Sequence, residues 1–371
     1  MRLILHFGLH RAASSALQRL LNENRRALRR HRVLAVTQRT TESDELRIFK
    51  LLKGTRAHAA GVDATAIEIE RHLAAIAADY DTVVFSDENM PGLMVGRQAR
   101  AFAGAAALAG LLVRLGASHD IHAVAVLRRH ADYLESIHRF RAGRGEPRDF
   151  PAFIAAIDLA SVNFAGLLDT MAGAVAGKAL EVFSYEGLHR DGGQGLVRRI
   201  MALAGVRGAA GSRLALANVA PEVCFSALMQ TLHRHAIALP RTTALALGER
   251  LRANADEELP GRSDADAMAA AVAGAARRVF VPVTSDRRYR LTRRLVETGL
   301  PLPAISARTA DALVAEALAA AERTRQATAT LTALKQSLDE RFAGDRAAVA
   351  ARYLPAWRSP GGDRPDRGNA A

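Results

Sequence analysis

The first 190 residues alternate short apolar runs with segments of helical spacing, and that alternation constrains the fold more than any other feature. Residues 2–7, 33–36, 81–86, 121–127 and 179–184 read as strands. Between them, residues 14–30 place Leu17, Leu20, Leu21 and Leu28 on one helical stripe. Residues 64–78, 98–115, 131–141 and most of 150–171 are helical by the same criterion. Strands alternating with helices build βαβ units, hence a parallel sheet with helices on both faces. Its connections are right-handed crossovers. In such sheets ligands bind beyond the carboxyl ends of the strands.

After about residue 205 the pattern changes. Residues 224–235, 242–255, 265–278 and 307–342 are Ala-rich helices, and 279–283 is the one short strand candidate. The expected organisation is an α/β core over 1–205, a helical region over 206–357 and a tail over 358–371. Arg, Pro, Gly and Asp dominate that tail, which cannot bury enough apolar surface to order itself. The 307–342 helix suits either dimerisation or a solvated face. Trp357 is expected to anchor the last helix.

Composition narrows the class. Apolar residues make up 49% and charged residues 24% of the 371, the balance of a globular chain. One cysteine, Cys224, excludes a disulfide framework and a Cys-rich zinc site, and its apolar neighbours suggest a small core residue. No apolar run reaches the roughly 18 residues that a spanning helix needs. The run at 2–7 is too short for a signal-peptide core, so a cytoplasmic location is expected. A net charge of +13 favours anionic partners without choosing among nucleotides, nucleic acid, acidic polysaccharide or lipid headgroups.

The first strand runs into Gly8-Leu9-His10-Arg11-Ala12-Ala13-Ser14-Ser15, followed by Leu17-Gln18 in an amphipathic helix. A helix N-terminus presents unpaired N–H groups and a positive dipole end to a phosphate. Ser14 or Ser15 is expected to cap this helix and donate to an anion. Against the nucleotide P-loop, Gly-x4-Gly-Lys-Ser/Thr, the frame starts at Gly8. Ala13 then stands for the second glycine, Ser14 for the lysine, and Ser15 keeps the hydroxyl. The cation sits earlier, at Arg11.

That rearrangement resembles the 5′-phosphosulfate loop of bacterial-type sulfotransferases that use 3′-phosphoadenosine 5′-phosphosulfate (PAPS). Their loop reads Pro-Lys-Thr-Gly-Thr-Thr; here it is His10-Arg11-Ala12-Ala13-Ser14-Ser15. Ala13 departs from the family glycine, and Ala restricts the backbone there. The family also carries an arginine at a later strand end and a serine eight residues on, which bind the 3′-phosphate. Arg128 and Ser136 have that spacing. Ser86-Asp87-Glu88-Asn89 and Ser184-Tyr185-Glu186-Gly187-Leu188 resemble two further family segments. For the third cofactor-contacting stretch, Arg287 to Arg294 and Arg262 are candidates only.

The resemblance implies a P-loop-like three-layer α/β/α core and PAPS as sulfuryl donor. Gly8, His10, Arg11, Ala12, Ala13, Ser14, Ser15, Arg128 and Ser136 would bind it. No metal, specific nucleic acid or transmembrane segment is expected. Arg11 would stabilise charge on the leaving phosphate, and a carboxylate would deprotonate the acceptor. The candidate bases are Glu88, Glu42, Asp44, Glu45 and His10, with Glu88 favoured by its strand-end position. Surface acids at a helix start are the alternative reading of Glu42, Asp44 and Glu45. The acceptor is a hydroxyl or amine, of which a carbohydrate is one candidate. Two other readings stand beside this one: a silent sulfotransferase-like binding protein, and a nucleotide kinase or NTPase with a degenerate loop.

Overall fold

The computed structural model describes residues 1–37, 61–96, 100–142, 146, 148–175, 180–206, 223–253, 262–277, 285–326 and 328–354. The chain divides into two compact units. Met1–Tyr133, Ala156–Val219 and Leu338–Ala371 form one; Leu134–Ala155 and Ala220–Ser337 form the other. The division therefore does not fall at residue 205. Part of the α/β half belongs to the second unit, and the chain from Leu338 onward belongs to the first.

The chain begins β1 (Arg2–His6), α1 (Ser14–Glu23), α2 (Arg25–Arg30), β2 (Val33–Thr37), α3 (Val62–Ile76), β3 (Thr82–Ser86), α4 (Ala105–Leu115) and β4 (Asp120–Leu127). It continues through α5 (His130–Ala142), α6 (Phe150–Ala155), α7 (Phe164–Ala174), β5 (Leu180–Ser184), α8 (Tyr185–Asp191) and α9 (Gln194–Leu203). The five strands form one sheet in the order β2-β3-β1-β4-β5, and every neighbouring pair is parallel. β1 to β4 are largely buried apolar runs because both faces of a parallel sheet are covered, and the edge strand β5 is half-buried. Leu3, Ile4, Leu5, Val83, Val84 and Val124 are all buried.

Topology sets the layers. The β1-to-β2 connection steps over β3 toward one edge, whereas β2 to β3, β3 to β4 and β4 to β5 all step the other way. Right-handed crossovers then put α1 and α2 on one face and α3, α4 and α7 on the opposite face. The packing agrees: α1 and α2 lie against β2, while α3 contacts α4 and α4 contacts α7. The reversal of direction occurs between β1 and β4, which opens a crevice at their carboxyl ends.

Local polar residues refine the helices that periodicity outlines. The expected helix over 14–30 breaks at Asn24, whose side-chain amide donates to the Leu20 carbonyl at 2.8 Å. Asn competes for backbone partners in this way and so weakens helix interiors. The helix expected from 98 starts only at Ala105. The stretch over 150–171 is interrupted because Asp158 and Asn163 each cap a new helical start.

In the second unit, α10 (Val223–Arg234), α11 (Arg241–Ala253), α12 (Arg262–Val272), α13 (Ser285–Glu297), α14 (Ala307–Gln326) and α15 (Thr328–Arg341, which ends beyond the unit) accompany a two-stranded ladder. The ladder pairs β6 (Ile237–Ala238) with β7 (Ala276–Arg277) in antiparallel fashion. Leu228, Leu232, Met268, Val272 and Ala310 make its core. Cys224 is buried with Ala227 and Ala321, as a small core residue. The helix expected over 307–342 consists of α14 and α15. The strand candidate 279–283, Trp357 and the 358–371 tail lie outside the described residues. Among the described residues, no helix is long and apolar enough to cross a membrane.

A last helix, α16 (Ala343–Arg352), closes the first unit. Asp345 accepts hydrogen bonds from the backbone N–H groups of Phe164 at 2.8 Å and Ala165 at 2.7 Å, at the start of α7. It also bonds His130 Nε2 at 2.6 Å. The His130 ring stacks on Phe164 on one side and Phe342 on the other, with centroids 3.9 and 4.4 Å away. Burial lowers the His130 pKa, so the ring is a neutral donor to this carboxylate. Asp345→Ala removes the acceptor of three partly buried hydrogen bonds and is expected to lower the unfolding free energy by about 3 kcal/mol. Urea denaturation checks this.

Candidate functional site

The loops that follow β1, β3 and β4 carry most of the sequence motifs. Beyond β1 the chain stays alongside β4, with Phe7 N–H on the Val124 carbonyl at 3.1 Å and Leu9 N–H on Val126 at 2.9 Å. It then turns sharply: Ala12 N–H donates to the Leu9 carbonyl at 3.1 Å. Arg11 and Ala13 adopt left-handed backbone conformations, with φ of 67° and 66°. Each costs about 1–2 kcal/mol for a residue with a Cβ, and strain of this kind clusters at functional sites. Ala13 thus takes a conformation that glycine adopts far more readily than a residue with a Cβ.

Ala13 is also the N-cap of α1, and it makes no side-chain cap. The expectation that Ser14 or Ser15 caps the helix is therefore corrected. A capping side chain needs an extended backbone at the cap position, and the left-handed Ala13 occupies that place. Ser14 lies in the first helical turn instead. Its hydroxyl is buried and has no hydrogen-bond partner among the described residues. The first N–H groups of α1 lack intrahelical partners by helix geometry, and the dipole adds positive potential there.

Gly8 is required by close approach. A Cβ on it would stand 3.0 Å from His6 Nε2 and 3.1 Å from Ser14 Oγ. His6 ends β1 opposite Ser86 of β3, and its Nδ1 shares a 2.9 Å hydrogen bond with Ser86 Oγ. Complete burial pushes the His6 pKa down to about 4 from 6.5. An unfolded chain therefore binds one more proton than the folded chain between those values. The stabilisation is fully present above pH 6.5 and is lost as pH falls toward 4, by about 3 kcal/mol. Denaturant titrations at pH 7.5, 5.5 and 4.5 should show this decline, and His6→Gln should flatten the part that His6 contributes.

The segment after β3 forms another wall. Gln18 on α1 donates from Nε2 to the Ser86 carbonyl at 3.1 Å and to Glu88 Oε2 at 2.9 Å. The His10 ring bonds Asn89 Oδ1 at 3.1 Å. Asp87 Oδ1 accepts from the Asn89 backbone and side-chain N–H groups at 3.1 and 2.8 Å. Glu88 is partly exposed and Asp87 is buried. The Gln18 amide thus orients the Glu88 carboxylate.

Arg128 ends β4. Its Nη1 donates to the Arg11 carbonyl at 3.4 Å, and its guanidinium lies 4.6 Å above the Tyr185 ring. Glu186, next to Tyr185, accepts from the Arg129 backbone N–H at 3.1 Å. Burial holds the Glu186 carboxyl above its ordinary pKa. Arg128 is thereby fixed between the first loop and the start of α8.

The structure therefore brings together Gly8, His10, Arg11, Ala12, Ala13, Ser14, Ser15, Glu88 and Arg128. Ser136 is buried in α5, in the part that belongs to the second unit. Arg262 and Arg287 to Arg294 also lie in that unit, on α12 and α13. Glu42, Asp44 and Glu45 lie outside the described residues. His6 has no role in the motif reading, and Gln18 and Tyr185 stand in the quoted motifs without one; the structure ties Gln18 to Glu88 and sets the Tyr185 ring against Arg128. The signal for His6 is a polar residue in an otherwise apolar strand. No protein-family model, no curated protein and no solved structure matches this chain.

Proposed function

We propose that this chain is a PAPS-dependent sulfotransferase with a P-loop-like core, transferring a sulfuryl group to a hydroxyl or amine of an acceptor such as a carbohydrate. The observation that carries the reading is the junction of two cationic loops at the sheet's switch point, where Arg128 bonds the Arg11 carbonyl at 3.4 Å. A nucleotide with phosphates at both ribose ends suits two such positions. The buried, unpartnered Ser14 hydroxyl beside a helix N-terminus fits an oxyanion.

When bound, PAPS supplies a sulfuryl group carried on a phosphate leaving group. Arg11 and the N–H groups opening α1 oppose the negative charge that grows on that phosphate during a loose, in-line transfer. Ser14 and Ser15 hydrogen-bond the same oxygens. Arg128 pairs with the 3′-phosphate through a planar fork that suits it. Glu88, held by Gln18, accepts the acceptor's proton. Ser14, buried where a P-loop carries lysine, disfavours Mg·ATP chemistry. The left-handed Ala13 favours retention of the glycine-type loop over a collapsed, silent one.

Incubation with PAPS and a panel of phenols, amines and saccharides tests the reading. Formation of adenosine 3′,5′-bisphosphate together with a sulfated product supports it. Tight nucleotide binding without turnover on any acceptor would favour the silent binder.

A further inference from the structure

Two buried polar groups beneath the first loop are left unsatisfied. His6 is 0% exposed and Ser14 4% exposed. His6 Nε2 and Ser14 Oγ have no hydrogen-bond partner among the described residues. Both border the same face of Gly8, where one added Cβ would sit 3.0 Å from the first and 3.1 Å from the second. Leaving a buried donor unmatched costs about 1–3 kcal/mol, and such groups in a folded protein call for a missing partner.

We propose that His6 is a further anion-binding residue, its Nε2–H joining the Ser14 hydroxyl as a donor to one oxyanion group seated under the loop. This inference rests on the reading of the loop as the 5′-phosphate site. The tautomer decides what His6 presents. If Ser86 donates its O–H to Nδ1, across 2.9 Å, the ring proton sits on Nε2, the atom that borders Gly8. The opposite tautomer would present a lone pair to the anion. Anion binding therefore selects Ser86 as donor and His6 as the Nε2–H tautomer. A neutral imidazole supplies this contact without placing a full charge in the sheet, where its desolvation would be costly.

The test compares two probes, adenosine 3′,5′-bisphosphate and adenosine 3′-monophosphate, which differ only in the 5′-phosphate. Wild type should prefer the bisphosphate. His6→Met should reduce that preference by about tenfold, as should Ser14→Ala, with affinity for the monophosphate unchanged. His6→Gln, which keeps an N–H near the Nε2 position, should restore most of it. In the wild-type protein, 15N chemical shifts of His6 should report the Nε2–H tautomer once the bisphosphate is bound. An undiminished preference in His6→Met, or the Nδ1–H tautomer in the complex, overturns the role of His6 alone. A wild type that does not discriminate between the probes overturns the loop reading as well.

Discussion

Arg11→Ala is expected to lower the rate of sulfuryl transfer by about 10²–10³-fold, while adenosine 3′,5′-bisphosphate affinity falls by about tenfold or less. The separation follows from when the charge exists. Arg11 sits in the turn between β1 and α1, and in the proposed transfer negative charge on the leaving phosphate grows toward the transition state. The contact is therefore stronger there than in the ground state. The loop itself should survive the change. Arg11 already holds φ at 67° with a Cβ, and alanine has the same Cβ. Its carbonyl, which meets Arg128, is main chain and remains. Single-turnover rates and calorimetric affinities measured on the same preparation separate the two effects. Full activity in Arg11→Ala would remove the loop from the mechanism.

Arg128→Ala is expected to weaken ligands bearing a 3′-phosphate by about 10- to 100-fold, the range for losing a charged hydrogen-bonded contact. Adenosine 5′-monophosphate should bind as before. The selectivity comes from how Arg128 is held. The Tyr185 ring at 4.6 Å and the Arg11 carbonyl at 3.4 Å restrict the guanidinium. The fork can then meet a phosphate with little further ordering. Arg128→Lys should recover only part of the loss, because an ammonium lacks the fork and stacks less well on Tyr185. Equal weakening of both nucleotides would show that Arg128 supports the crevice without reading the 3′ end.

The parts of the fold that sequence reveals are those set by local physics. β1 to β4 are short apolar runs because the inner part of a parallel sheet is buried on both faces, β5 is a half-buried edge, and each strand lies within a residue of its expected bounds. Helix interruptions are less legible, since one side chain decides them: Asn24 breaks the first helix by bonding the Leu20 carbonyl. Contacts between residues far apart in sequence leave no local trace. Asp345 caps α7 from about 180 positions away, and nothing in the spacing of α16 announces it. Two-residue strands such as Ile237–Ala238 are too short to show a period of two.

At the site, residue types were legible and backbone state was not. Arg11, Ser14 and Arg128 stand out as cation, hydroxyl and cation at strand ends. The left-handed turn at Ala13 is invisible because alanine seldom takes that conformation. It displaces the cap from Ser14 and leaves the hydroxyl uncommitted. His6 looks like a core histidine until Gly8 and Ser86 are seen around it.

The central claim is that the β1–β4 crevice holds a nucleotide phosphorylated at both its 3′ and 5′ positions. Calorimetric titration with adenosine 3′,5′-bisphosphate, beside adenosine 5′-monophosphate and Mg·ATP, tests it most directly. The account predicts micromolar binding of the bisphosphate and much weaker binding of the other two. No binding of the bisphosphate, or a preference for Mg·ATP, would contradict it.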